Sequence, residues 1–197
     1  MAERTFPITG DPADDSLLLT DPFALLLGML LDQQVPMEWA FRSPARLRER
    51  MEASQPGSFS PAGLAALDED AAVALFTDKP ALHRYPASMG KRAHAVARAL
   101  VEDYGGDAAS LWTTAADGAE LFRRLRALPG YGEEKSRIFV ALLAKRLGVR
   151  PDGWERAAGP FADDVPRSAA DVGSAEELTA VRQWKQAQKK RGKTKAE

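Results

Sequence analysis

The 28 residues from Leu121 to Gly148 read LFRRLRALPGYGEEKSRIFVALLAKRLG. Apolar positions recur at helical spacing on both sides of Leu128-Pro129-Gly130-Tyr131-Gly132, so this stretch predicts two helices joined by a tight hairpin. Asp117 caps the first helix, which runs through GAELFRRLRAL until Pro129 stops it. The second restarts at Glu133, carries Ile138, Ala141 and Leu142 on one face, and ends at Gly148. Glycine on either side of Tyr131 permits positive φ and lets another backbone approach closely.

Outward from the hairpin the same pattern repeats. Asp21-Pro22 is an N-cap followed by proline at the first helical position, and FALLLGMLLDQQ after it is apolar almost all round, the mark of a buried central helix. A second helix, MEWAFRSPARLRERM, follows Pro36, with an interruption expected at Ser43-Pro44. Ser54 to Gly63 reads as a loop, Ser60-Pro61 opens a short helix, and Asp68 to Phe76 forms another. Ser88 caps the amphipathic run MGKRAHAVARALVEDYGG, and Asp107 to Trp112 makes a short turn. Gly148 to Val172 reads as irregular, and a last helix from Ala175 to about Lys190 runs into a basic tail. No alternating β-branched run of strand length occurs, so the predicted fold class is all-α. A chain of 197 residues buries a real core, which predicts one helical domain over residues 1–183 and a basic tail over 184–197.

Several classes are excluded at once. With no cysteine, the chain has no disulfide, no thiol nucleophile and no cysteine-ligated zinc or iron–sulfur cluster. The longest apolar run, Phe23 to Leu31, has 9 residues, too few to cross a bilayer, and MAERTFPITGDPADD lacks a signal-peptide core; a cytoplasmic protein is expected. The net charge of −1 hides an asymmetry. Residues 185–197 hold six basic groups and one acid, which leaves 21 basic against 27 acidic groups elsewhere. A basic tail on an acidic body is the footprint of a nucleic-acid contact, or simply a solvated C-terminus.

The hairpin carries the chemistry. The N–H groups at the positive end of the second helix converge beside the glycines, which suits an anion such as a DNA phosphate, whatever the base sequence. Leu128 to Gly132 between two helices resembles the helix-hairpin-helix motif of the DNA glycosylase superfamily, named for that hairpin and a following Gly/Pro-rich loop that ends in aspartate. Two further segments match in order. LLLGMLLDQQVPMEWAFRSPARL resembles the family's central helix with its terminal Gln pair, and ASMGKRAHAVARALVEDYGG resembles a family helix in which Gly or Ser precedes Lys. The likeness spans about Asp21 to Asp152, and the chain resembles a cysteine-free member of the endonuclease III and alkyladenine-type base-excision glycosylases.

The resemblance implies a two-lobed helical bundle with the hairpin beside an interlobe cleft, bound to double-stranded DNA as a monomer in the cytoplasm or nucleoid. It implies release of a flipped, damaged or mispaired base by hydrolysis of its N-glycosidic bond, with a carboxylate facing an oxocarbenium-like sugar. That carboxylate lies about twenty residues past the second hairpin glycine, which is Asp152, with Asp163 and Asp164 as alternatives. Leu128, Pro129, Gly130, Tyr131 and Gly132 are the expected DNA-binding hairpin, with Lys91 and Arg92 on phosphates and Gln34 filling the gap left by the base. Gln33 is read as structural, while Tyr131 either stacks on a sugar or joins the core. Bifunctional members use a lysine two residues after the glycine; here that position is Glu134, and Lys135 one place later is rotated by about 100° along the helix, away from the site. No lyase activity is therefore expected. No cofactor is implied beyond a monovalent cation at the hairpin. The alternative is a relative that recognises distorted duplexes without cutting, favoured by the atypical stretch after Gly148.

Other signals give no site. His83 and His94 have no partner at metal-ligand spacing; one reads as a surface group, the other as a satisfied helix residue. SMGKR lacks the glycine a phosphate loop needs, since Tyr85 stands there, and no nucleophile elbow occurs. Trp112, Trp154 and Trp184 read as core or interface anchors. Asp11, Asp14 and Asp15 read as a solvated N-terminal segment, unlike a calcium loop.

Overall fold

The computed structural model describes residues 5–192, and among these every regular element is helical. Helix α1 spans Pro12–Thr20, α2 Pro22–Leu31, α3 Met37–Ser54, α4 Pro61–Ala65, α5 Glu69–Thr77 and α6 Pro86–Tyr104. After these come α7 (Ser110–Thr113), α8 (Gly118–Ala127), α9 (Glu133–Arg146), α10 (Trp154–Ala158) and α11 (Ala175–Arg191). The all-α class is therefore the observed one. None of these helices is long and apolar enough to cross a membrane.

Helix α2 is the hub. Asp21 caps it by accepting from the N–H groups of Phe23 (2.9 Å) and Ala24 (3.0 Å), and every residue from Phe23 to Leu31 is buried. It packs against α1, α3, α6 and α9. A Cβ on Gly28 would stand 2.6 Å from the Phe41 ring, so glycine is what lets α3 lie this close. Around the hub, α6 gathers α4 and α5, while α9 gathers α8, α10 and the 3₁₀ turns Gly159–Ala162 and Ala169–Asp171.

Several local expectations change. Asp11, though exposed, caps α1 through the N–H of Ala13 (2.8 Å), with Pro12 at the first helical position, and Asp15 accepts from the Thr9 N–H (2.8 Å) and hydroxyl (2.7 Å). Helix α3 runs unbroken through Pro44. Proline deletes a single backbone bond, the buried Ser43 hydroxyl donates to Trp39 O (2.9 Å) and Leu82 O (2.6 Å), and packing on α2 holds the rest. Helix α6 begins at Pro86 with no side-chain cap, two residues before Ser88. The stretch after Gly148 is partly ordered as α10 and two 3₁₀ turns. In the second turn, Ser168 and Asp171 form a capping box.

At the C-terminus α11 carries Lys185, Lys189, Lys190 and Arg191 on a helix that ends at Gly192, so the basic stretch continues a regular element up to that point. An ion pair from Arg182 to Glu38 ties α11 to the start of α3. Lys193 and Lys195 lie outside the described residues.

Both histidines are buried, which corrects the expectation that one sits on the surface. The His94 ring bonds the Leu67 carbonyl at 2.9 Å. Trp112 is buried edge-on against Phe139, whereas Trp154 and Trp184 are half-buried beneath Arg150 and Arg167.

Candidate functional site

Between the end of α2 and the turn that joins α8 to α9 lies a hollow of about 420 Å³. It is lined by Met29, Asp32, Gln33 and Gln34 from one side and by Gly130, Gly132, Glu133, Glu134, Lys135 and Ile138 from the other. Its size falls within the range of about 300–1,000 Å³ usual for small-ligand sites. Two segments a hundred residues apart in sequence thus meet at one place.

The α8–α9 turn is pinned to the hub from beneath. Tyr131 is buried, its hydroxyl donates to Leu26 O at 2.6 Å, and burial pushes its ionisation well above the usual phenol range. Leu128 is buried as well. The side chains of these two residues anchor the turn to the core, which for Tyr131 is one of its two expected placements. Gly130 and Gly132 are exposed, and Pro129 is half-buried. Gly130 has φ +82°, and a Cβ there would lie 2.8 Å from Leu30 Cδ1 and 3.2 Å from Arg92 Cδ. The Arg92 side chain therefore lies along the turn. Gly132 leaves α9 without a side-chain cap, and the positive end of the helix dipole opens onto the hollow.

On the opposite wall, α2 stops at Leu31, three residues sooner than the run through Gln34 suggests. Gln34 is exposed and holds φ +57°, a left-handed conformation that no other non-glycine residue adopts among those described. Such a conformation costs about 1–3 kcal/mol and persists where the surroundings impose it. His83 is part of that imposition. Its Nδ1 accepts from the Tyr85 N–H (3.0 Å), which leaves the proton on Nε2 to donate to the Gln33 carbonyl (3.0 Å). Burial lowers the His83 pKa, partly offset by bonds to the Gln33 and Leu31 carbonyls, and the nearby Lys135 and Arg92 cations lower it further. The imidazole is thereby held neutral. The Gln33 side chain turns away from solvent to donate to the Met89 sulfur (2.9 Å).

Lys135 lines the hollow, contrary to the expected rotation away from it. Its amine donates to the Leu30 carbonyl at the end of α2, and the side chain passes over the Tyr131 ring. A helix rotation of 100° changes direction, but a long lysine stem swings back across the start of its own helix.

The remaining sequence candidates stand elsewhere. Asp152 is exposed in a separate hollow of about 280 Å³ with Asp117, Phe122, Arg137 and Arg156, and its carbonyl accepts from the Gly118 N–H (2.8 Å). The structure does not bring it to Gln34 or to the turn's glycines. Asp163 is committed to Arg167 (2.6 Å) and the Val165 N–H (3.0 Å), and Asp164 borders a third depression with Lys145. Lys145 is eleven positions beyond Glu134 along α9, about 16 Å away. Lys91 is exposed and paired with Glu69 at 2.9 Å, so Arg92 is the member of that couple that reaches the turn.

Sequence reading missed the acids and aromatics of this face. Asp32 sits in the wall of the hollow at 7% exposure. Trp39 and Tyr85 are among the large hydrophobic residues left exposed, their rings tilted against His83 at 6.4 and 6.1 Å, with Arg84 5.5 Å above the Tyr85 ring. Periodicity assigns Trp39 and Asp32 merely to helical runs, and only the fold reveals which way they face. No group of three or more potential metal-ligating side chains occurs among the described residues. No family model, curated protein or solved structure matches the chain.

Proposed function

We propose that the protein binds duplex DNA across the hollow and removes a damaged or mispaired base, as a monofunctional DNA glycosylase of the helix-hairpin-helix type. One observation carries the reading: Gln34 and the Gly130–Gly132 turn, drawn from two of the segments that resemble this superfamily, line the same hollow. Arg92 lies along the turn within reach of a phosphate, and the exposed Gln34 projects from a strained loop held by His83. Exposed Trp39 and Tyr85 beside that loop offer faces for an unstacked base. The positive end of α9 favours an anion at the turn, although Glu133 and Glu134 in the same first turn work against it.

In this reading the DNA backbone rests on the turn and Arg92, the target base swings into the hollow, and Gln34 occupies the space it leaves. Extruding a base costs a few kcal/mol, least for a damaged or mismatched one, so the step itself discriminates. Lys135 is tied to the Leu30 carbonyl, which agrees with hydrolysis by water and not through a lysine adduct. Base release tests the reading. Duplexes bearing uracil, oxidised guanine, alkylated purines or adenine mispairs are incubated with the protein, and free bases are detected by mass spectrometry. Release from at least one duplex, reduced by Gln34→Ala, is expected.

A second reading, a relative that binds distorted duplexes without cutting them, draws on the position of Asp152 in a different hollow. Salt-sensitive binding with no released base across the panel would favour it.

A further inference from the structure

Two aspartates among the described residues are buried to the same degree, at 7% exposure, and they differ in their partners. Asp171 is saturated: it accepts from Lys145 Nζ (2.6 Å), the Arg167 N–H (3.1 Å), the Ser168 N–H (3.0 Å) and the Ser168 hydroxyl (3.0 Å). The Asp32 carboxylate accepts no hydrogen bond and forms no ion pair among the described residues, yet it lies in the wall of the hollow. It also stands just past the C-terminal end of α2, where the helix dipole disfavours a negative charge.

We propose that Asp32 is the working carboxylate of this hollow. The inference rests on the glycosylase reading above and gives the catalytic role to a residue of the α2 terminus in place of Asp152. The position fits the chemistry. Asp32 directly precedes the Gln33-Gln34 loop, so a base drawn in past Gln34 has its sugar near the α2 end. As the C1′–N bond breaks, its electron pair leaves on the base and positive charge develops on the sugar, which the Asp32 anion faces. Water adds its oxygen to C1′ and gives a proton to Asp32, which passes it on to the departing base nitrogen; the products are the free base and an abasic sugar. Lys135, held on the Leu30 carbonyl, keeps a compensating positive charge nearby.

The test compares wild-type protein, Asp32→Asn and Asp152→Asn, by base release on the lesion panel, by DNA affinity and by melting temperature. Asparagine keeps the shape of Asp32 and removes the charge. For Asp32→Asn the expected results are a loss of release of at least about a hundredfold, DNA binding as tight as wild type or tighter, and a melting temperature raised by a few degrees. Asp152→Asn is expected to release base like wild type. Wild-type release that persists in Asp32→Asn overturns the assignment and leaves the glycosylase reading standing. A lowered melting temperature in Asp32→Asn also overturns it, since the aspartate would then be structural. Wild-type protein that releases no base brings down the glycosylase reading, and this inference with it.

Discussion

Gln34 shows what a single backbone conformation costs. Its φ of +57° is ordinary for glycine and unfavourable for glutamine. Gln34→Gly is expected to stabilise the protein by about 1 kcal/mol, visible as a higher melting temperature, while base release and DNA affinity fall. Loss of stability on that change would mean the side chain makes a structural contact. His83 gives the pH dependence of the same loop. Its folded pKa lies below the ordinary imidazole value of about 6.5, so below that pH the unfolded chain takes up a proton that the folded protein refuses. Stability is therefore unaffected at alkaline pH and decreases as pH falls below about 6.5. Melting curves across that window should show the decline in wild type and a flatter profile in His83→Gln.

At the scale of the elements, the α8–α9 turn is the part most open to test. Gly130→Ala meets both a left-handed backbone and Leu30 Cδ1, and should destabilise by at least about 1–2 kcal/mol in denaturant unfolding. The far end of α9 depends on a buried charge pair. Asp171→Ala takes the carboxylate away from the Lys145 ion pair and leaves the Ser168 N–H without its acceptor, a loss of about 3–5 kcal/mol. Helices α2, α8 and α9 were readable in sequence because Asp21-Pro22, Asp117 and Pro129 mark their ends locally. The same Asp-Pro signal announces α1 at Asp11-Pro12, and the neighbouring acids masked it. Pro44 misleads for the opposite reason: the local rule predicts a break, and burial of α3 on α2 overrides it.

For the molecule as a whole, sequence spacing names residues but does not bring them together. Counting twenty positions from Gly132 reaches Asp152, but α10 and the turn before it carry that residue to another hollow. Asp32, one residue from the glutamines already singled out, carries no local mark of its isolation; that depends on how α9 approaches the end of α2. The fold class followed from periodicity, whereas the site required tertiary placement. On a body with net negative charge, DNA binding rests on a few local cations, among which Arg92 lies against the turn. The most direct measurement is the affinity for a duplex as a function of salt, for wild type and Arg92→Ala. A log–log plot is expected to fall linearly with a slope of about −0.9 for each phosphate neutralised, and the variant should bind more weakly with a slope smaller by about 1. Affinity that ignores salt, or an Arg92→Ala plot that overlays the wild type, would contradict the claim that this face meets DNA.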